Sequence, residues 1–135
     1  DIDLCNRTVS KAEELINECP YDNTSQALTL EEAELQLESY DIIIHTTAVG
    51  LHPNIDQKPL SLIHAKHSVV VSDIVYNPIK TALLQEAEER GLTIHNGVGM
   101  FVHQAALAFK LWTGVEPSIE KMTEIVYDKL GGKTC

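Results

Sequence analysis

The 135-residue sequence is short of positive charge: ten Lys and Arg face twenty Asp and Glu, leaving a formal charge of −10. Such a chain repels polyanions at long range, so nucleic acid and anionic membrane surfaces are not expected partners. No apolar run approaches the roughly 18–20 residues that cross a bilayer. The opening DIDLCNRT has neither a basic stretch nor an apolar one of the kind that directs secretion. It reads instead as the middle of a strand, and the expectation is a fragment of a longer protein. Cysteine is scarce too. Cys5, Cys19 and Cys135 show no zinc-type spacing, and although His64 and His67 lie three apart, no carboxylate pattern joins them, so no metal is expected. Cys5 in an apolar strand and Cys19 on an apolar helix face read as small buried hydrophobes in a reducing cytoplasm. With 44% hydrophobic and 22% charged residues, and no repeat or low-complexity linker, residues 1–135 read as one soluble domain.

What is present alternates strand and helix. Ile2, Leu4 and Cys5 form a short apolar strand that stops at Asn6-Arg7-Thr8. A helix over 10–18 follows, with Ser10-Lys11-Ala12-Glu13 as its capping box, Ala12, Leu15, Ile16 and Cys19 on one face, and Pro20-Tyr21-Asp22-Asn23 as its stop. A short strand over 26–30 and an acidic, solvated helical turn over 31–38 come next. Ile42-Ile43-Ile44 is the clearest strand and runs into His45-Thr46-Thr47-Ala48-Val49-Gly50. After a proline-punctuated loop with a short helix near 60–64, Val69-Val70-Val71 leads a second buried strand into Asp73-Ile74-Val75-Tyr76-Asn77-Pro78. A helix over 81–90 ends at Gly91, a strand over 92–94 ends at Asn96-Gly97-Val98-Gly99, and helices over 100–112 and 119–130 finish the chain. Phe109 and Trp112 are expected to fill core beneath the last helix. Apolar strands without alternation, separated by helices, predict an α/β fold: a Rossmann-like, doubly wound, mainly parallel sheet with helices on both faces. Ligands of such sheets bind beyond the carboxyl ends of the strands, where four polar or glycine-bearing segments cluster here.

Each segment has chemistry to offer and a blander alternative. After the second strand of a dinucleotide fold an acidic residue meets the adenosine ribose of NAD, whereas Arg accommodates the 2′-phosphate of NADP. Here that place holds uncharged Asn6, then Arg7 and Thr8, with Lys11 one turn further; an ordinary helix start would also account for them. Thr46 and Thr47 ahead of Gly50 bring hydroxyls and backbone to a ribose or pyrophosphate, or merely turn the chain. Ile74 is placed to pack on a nicotinamide ring and the Tyr76 hydroxyl to bind a polar substrate, unless that phenol is half-buried structure. Gly97 and Gly99 sit ahead of a helix whose first residues include Met100 and whose Gln104, one turn in, offers both a donor and an acceptor.

Taken together, NRTVSKAEEL, DIIIHTTAVGL, VSDIVYNPIKTALLQEAEERG and NGVGMFVHQAALAFKLWTGVEP resemble the C-terminal, NADP-binding domain of the shikimate dehydrogenase family over residues 3–130. The resemblance implies NADP as cofactor, held by Asn6, Arg7, Thr8, Lys11, Ile74, Gly97 and Met100, beside the hydroxyls of Thr46 and Thr47 read above from their place at a strand end. It implies shikimate and 3-dehydroshikimate as substrates, met by Tyr76 and Gln104, in the shikimate pathway of aromatic amino-acid biosynthesis. His45 stands where the family usually has Asn, Ala48 and Ala82 where Pro is common, and Leu51 where Met is common; none removes an assigned binding side chain.

Two family features are missing from this sequence. No glycine-rich phosphate loop or first strand precedes Asp1, and the N-terminal domain that supplies the proton-transferring Lys and Asp is absent. No catalytic residue is therefore assigned, and the fragment alone is expected to be inactive. Without a central strand between those near Ile2 and Ile42, two edges would pair directly or through a homodimer. A relative acting on quinate, or a non-catalytic α/β module, are the competing readings; a receiver-type module would use Asp73 as a phosphoacceptor.

Overall fold

The computed structural model describes residues 2–21 and 24–131. Asp22, Asn23 and Cys135, each part of an expectation above, lie outside the described residues. Two compact units emerge: Asp1–Tyr40 with Leu60–Lys66, and Asp41–Pro59 with His67–Cys135.

The first unit is built from β1 (Leu4–Cys5), α1 (Val9–Asn17), β2 (Ala27–Leu28) and α2 (Leu30–Gln36), with one turn of 3₁₀ helix over Leu37–Ser39. Strands β1 and β2 pair in parallel, Leu4 opposite Ala27. Asp3 fastens the start of β1: its carboxylate accepts from the Gln26 backbone N–H (2.8 Å) and from the Tyr40 hydroxyl. The stretch 60–66 forms turns rather than the expected short helix, because Pro59 and the two buried leucines, Leu60 and Leu62, tie it down without a helical repeat. Its Ser61 N–H donates to Glu34 Oε1 of α2 at 2.6 Å.

Three local expectations in this unit need correction. Helix α1 starts at Val9 with Thr8 as an N-cap whose side chain makes no capping bond, so the Ser10–Glu13 box does not form. A capping box forms instead at α2, where Thr29 accepts from the Glu32 N–H and Glu32 accepts from Thr29 N–H. Cys5 and Cys19 are free and exposed, and Leu15 is exposed as well. Of the α1 stripe only Ala12 is fully buried, since a sheet of two two-residue strands gives a helix little to pack on.

The second unit holds β3 (Ile42–His45), β4 (Val70–Asp73), α3 (Ala82–Glu89), β5 (Thr93–His95), α4 (Val98–Thr113) and α5 (Ile119–Leu130). Its three strands run parallel in the order β3-β4-β5, with Ile43 opposite Val71 and Val71 opposite Ile94. Helix α3 packs Leu83, Leu84 and Ala87 inward, beside Val69, Val71 and Leu92 of the core. The expected cover on both faces is incomplete at β3, whose Ile42 and Ile44 are 57% and 62% exposed. Among the described residues β1 and β3 lie in separate sheets, so direct pairing of those two edges is not seen.

Helix α4 buries Val98, Val102 and Ala106, a stripe four residues apart. Phe109 and Trp112 therefore fall on other faces and are not core: Trp112 is 84% exposed. Sixteen residues with apolar side chains on every side have no unique inward face, and the small residues take it.

The entry to α4 depends on Gly97. A Cβ there would lie 2.1 Å from the Ile74 carbonyl oxygen and 2.7 Å from that of Val75, while its own N–H donates to Val75 O at 3.3 Å. Gly99, one turn-start later, would meet nothing within 4 Å. Urea unfolding should accordingly find Gly97→Ala destabilised by about 1–3 kcal/mol through overpacking against backbone, and Gly99→Ala neutral or more stable by up to about 1 kcal/mol. Equal effects would show that the two glycines serve the same purpose.

Candidate functional site

Strand ends β3 and β4 and the start of α4 border an open cavity of about 560 Å³ in the second unit. Thr46, Thr47, Ile74, Tyr76, Met100 and Gln104, six residues singled out from the sequence, line it together. Ala48, Leu51, Val75 and Phe101 complete the wall. Parallel strands end side by side, so the loops that follow them converge on one rim.

The side chains at this rim are held in place. Tyr76 and Phe101 stack with ring centroids 4.0 Å apart and planes 16° from parallel. Gln104 donates from Nε2 to the Phe101 carbonyl at 3.0 Å, within its own helix. Gly50 closes the Thr46–Gly50 loop at φ +83, and a Cβ there would lie 2.9 Å from the Gln57 carbonyl, so only glycine fits without strain. Gly97 is not a lining residue: the space its missing Cβ leaves is filled by the Ile74–Val75 backbone.

Beneath the rim lies a polar cluster that reading the sequence did not assign to the site. Asp73, 1% exposed, accepts on Oδ1 from His45 Nδ1 (3.0 Å) and the Val75 N–H (2.9 Å), and on Oδ2 from the Thr81 hydroxyl (2.7 Å). His45 Nε2 in turn meets Thr47 Oγ1 at 2.6 Å. Burial works against an ionised Asp73, but the bonds from His45, Thr81 and the Val75 N–H outweigh it and hold the carboxyl below its ordinary value. The signal in the sequence was a polar residue ending each apolar strand, His45 after Ile42–Ile44 and Asp73 after Val69–Val71. A receiver-type role for Asp73 is not supported, since its oxygens are buried and both are engaged by donors of the protein itself.

Asn6, Arg7, Thr8 and Lys11 lie in the first unit, between β1 and the first turn of α1. Asn6 shapes that junction by accepting the Thr8 N–H on its Oδ1 at 2.9 Å. Arg7, Thr8 and Lys11 are exposed. Among the described residues no three His, Cys, Asp or Glu side chains gather as a metal site would, and no helix is long and apolar enough to cross a membrane.

Comparison with known proteins gives a consistent result. Residues 97–127 match the family described as the shikimate 5'-dehydrogenase C-terminal domain. The chain is 59% identical over 133 residues to the NADP-dependent shikimate dehydrogenase of Bacillus subtilis, covering 98% of this chain and 48% of that protein. A crystal structure of shikimate dehydrogenase with NADP+ superposes with a TM-score of 0.80 at 38% identity, over 96% of this chain and 47% of the other. The Thermus thermophilus enzyme, solved with NADP(H) and shikimate, gives 0.77 at 31% identity over 93% and 45%. The chain thus spans about half the length of the relatives it matches, and the Rossmann-like fold is theirs.

The buried cluster predicts an acid dependence. A carboxyl whose folded value lies below its unfolded one adds stability above the unfolded value, about 4, and loses it as pH falls through the folded value. Asp73→Asn should therefore be markedly less stable than the parent at neutral pH, by about 1–3 kcal/mol for donors left unmatched. The gap should narrow below about pH 4. A gap constant in pH, measured by denaturant unfolding, would mean that Asp73 is not ionised in the fold.

Proposed function

We propose that this chain, which belongs to the shikimate dehydrogenase family, forms the cofactor-binding half of an NADP-dependent shikimate dehydrogenase interconverting shikimate and 3-dehydroshikimate. The observation that carries the reading is the 59% identity over 133 residues to an enzyme of that name. The cavity supports it independently, because its residues suit the two ligands.

Arg7 and Lys11 are assigned the adenosine 2′-phosphate, with Asn6 and Thr8 shaping the turn that presents them. A guanidinium and an ammonium at the first turn of a helix add charge-assisted bonds to backbone N–H groups that lack helical partners. Ile74 and Met100 offer apolar walls for a nicotinamide ring, which supplies the hydride when the cofactor is bound. Thr46 and Thr47 take the polar groups next to that ring, and Gly97 serves by letting the Ile74–Val75 backbone sit close to the start of α4. Tyr76, its ring held by Phe101, and Gln104, tied to its helix, are assigned to the hydroxyl-rich substrate. Of the residues lining the cavity only Tyr76 is ionisable, and a phenol is a poor proton donor near neutrality. The acid–base pair is thus assigned to the other half of the protein, and the chain alone is read as inactive. Free, exposed Cys5 and Cys19 suit a reducing cytoplasm, and the soluble reactants require neither nucleic acid nor membrane.

The test uses the full-length protein that carries this chain, assayed for shikimate oxidation with NADP and with NAD. Arg7→Ala should weaken NADP by about 1–3 kcal/mol, or roughly 5- to 150-fold, and leave NAD nearly unchanged. Equal losses for both cofactors would remove Arg7 from the phosphate, and no shikimate oxidation by the parent would remove the function.

A further inference from the structure

We propose that His45 is a positioning residue that turns Thr47 into an obligate hydrogen-bond acceptor at the cavity, so that the ligand group meeting Thr47 must be a donor such as a hydroxyl or an amide NH₂. The proposal deepens the reading above and rests on it for the identity of the ligand. The polarity itself follows from the chain alone.

The direction of each hydrogen bond can be traced outward from Asp73. Its two oxygens are met by a backbone N–H, a hydroxyl and His45 Nδ1, all within 3.0 Å. The Val75 N–H can only donate, and the Thr81 oxygen is already an acceptor for the Leu84 N–H at the start of α3, so its proton goes to Asp73. An ionised carboxylate only accepts, which places a proton on His45 Nδ1. In that tautomer Nε2 carries a lone pair, and the 2.6 Å contact is a bond donated by the Thr47 hydroxyl. Thr47 has a single proton and has given it away. Its oxygen also accepts the Val49 N–H at 3.2 Å, leaving one lone pair for the cavity it lines.

A phosphate oxygen is itself an acceptor and would be repelled there. A ribose hydroxyl or a carboxamide NH₂ would be welcomed. Of the ribose and pyrophosphate groups open to Thr47 on sequence grounds, the geometry keeps the ribose and discards the pyrophosphate. The order hydroxyl, imidazole, carboxylate resembles that of an activated nucleophile, but the nearby backbone N–H that could steady an oxyanion is already bonded to the Thr47 oxygen itself.

Two substitutions separate the ring's ends. Asn places an amide nitrogen near the position of Nδ1, so His45→Asn retains the bond to Asp73 but cannot reach Thr47; Thr47→Val removes the acceptor alone. In the full-length protein each should raise the NADP dissociation constant about 3- to 10-fold, the size of one lost hydrogen bond. The double variant should be no worse than Thr47→Val by itself, because the ring acts only through the hydroxyl. Adenosine 2′,5′-bisphosphate, which lacks the nicotinamide half, should bind all variants equally. Full additivity in the double variant, or an equal loss for the bisphosphate, would overturn the proposal. ¹⁵N NMR of the ligand-free protein at neutral pH should show His45 as the neutral Nδ1–H tautomer. The Nε2–H tautomer or a doubly protonated ring would overturn it even if NADP binding and turnover are normal. A protein with the expected tautomer and no NADP binding would sink the function while leaving the hydroxyl's polarity intact.

Discussion

One buried carboxylate organises the end of the three-stranded sheet. An unpaired charge at 1% exposure would be prohibitively unstable, and Asp73 is stable there because three donors from different segments converge on it. Those donors belong to the end of β3, the chain leaving β4 and the residue that caps α3. The consequence is mechanical. Thr47 hangs from His45, the Ile74–Tyr76 segment leaves β4 with its Val75 N–H pinned, and α3 begins where Thr81 must be both cap and donor. Such networks specify one arrangement because half-satisfied versions of them are costly. The cavity rim therefore inherits its rigidity from a group that never touches it.

A second constraint sets the opposite wall. Gly97 approaches the Ile74–Val75 backbone more closely than any side chain allows, and its N–H donates to Val75. The segment from 74 to 76 is thus gripped from both sides, by Asp73 through the Val75 N–H and by Gly97 through the Val75 carbonyl. Ile74 and Tyr76 flank this doubly bonded residue, which explains how two side chains on an irregular segment can face a cavity with fixed geometry.

Much of this was legible in the chain because strong local signals coincided with the fold. Ile42–Ile44 and Val69–Val71 are short β-branched runs followed by polar residues, and both became parallel strands ending at the cavity. The glycines after β5 were equally visible, but their division of labour was not, because it depends on a segment distant in sequence: Gly97 meets the Ile74–Val75 backbone and Gly99 meets open space. The His45–Asp73 contact joins residues 28 apart, and nothing local announces it. Leu15 and Cys19 are exposed against expectation because periodicity gives a helix its apolar side without saying how wide the covering surface is, and Cys5 is exposed at the end of a two-residue strand. Phe109 and Trp112 failed for the opposite reason, on a helix whose apolar residues surround the axis.

Helix α1 carries its charges against the usual order, which bears on the proposed assignment of a phosphate to its start. Ordinary helices place acids in the first turn and bases in the last, matching the macrodipole, as α5 does with Glu120 and Lys129 and α2 does with Glu31 and Glu32 at its start. Helix α1 reverses the order: Arg7 precedes it, Lys11 sits in its first turn, no acid lies there, and Glu18 caps its far end. Each misplaced charge costs about 0.3–1 kcal/mol at an exposed helix end. Its Thr8 cap also leaves the first N–H groups without the side-chain acceptor that Thr29, Thr81 and Ser118 supply to α2, α3 and α5. A helix with uncapped donors and cations at its positive end is less stable than it could be in the absence of an anion, and better in its presence. Because the net charge of −10 acts only weakly beyond the Debye length of roughly 10 Å, the cations beside the helix end act locally, in keeping with the proposed single phosphate rather than an extended polyanion.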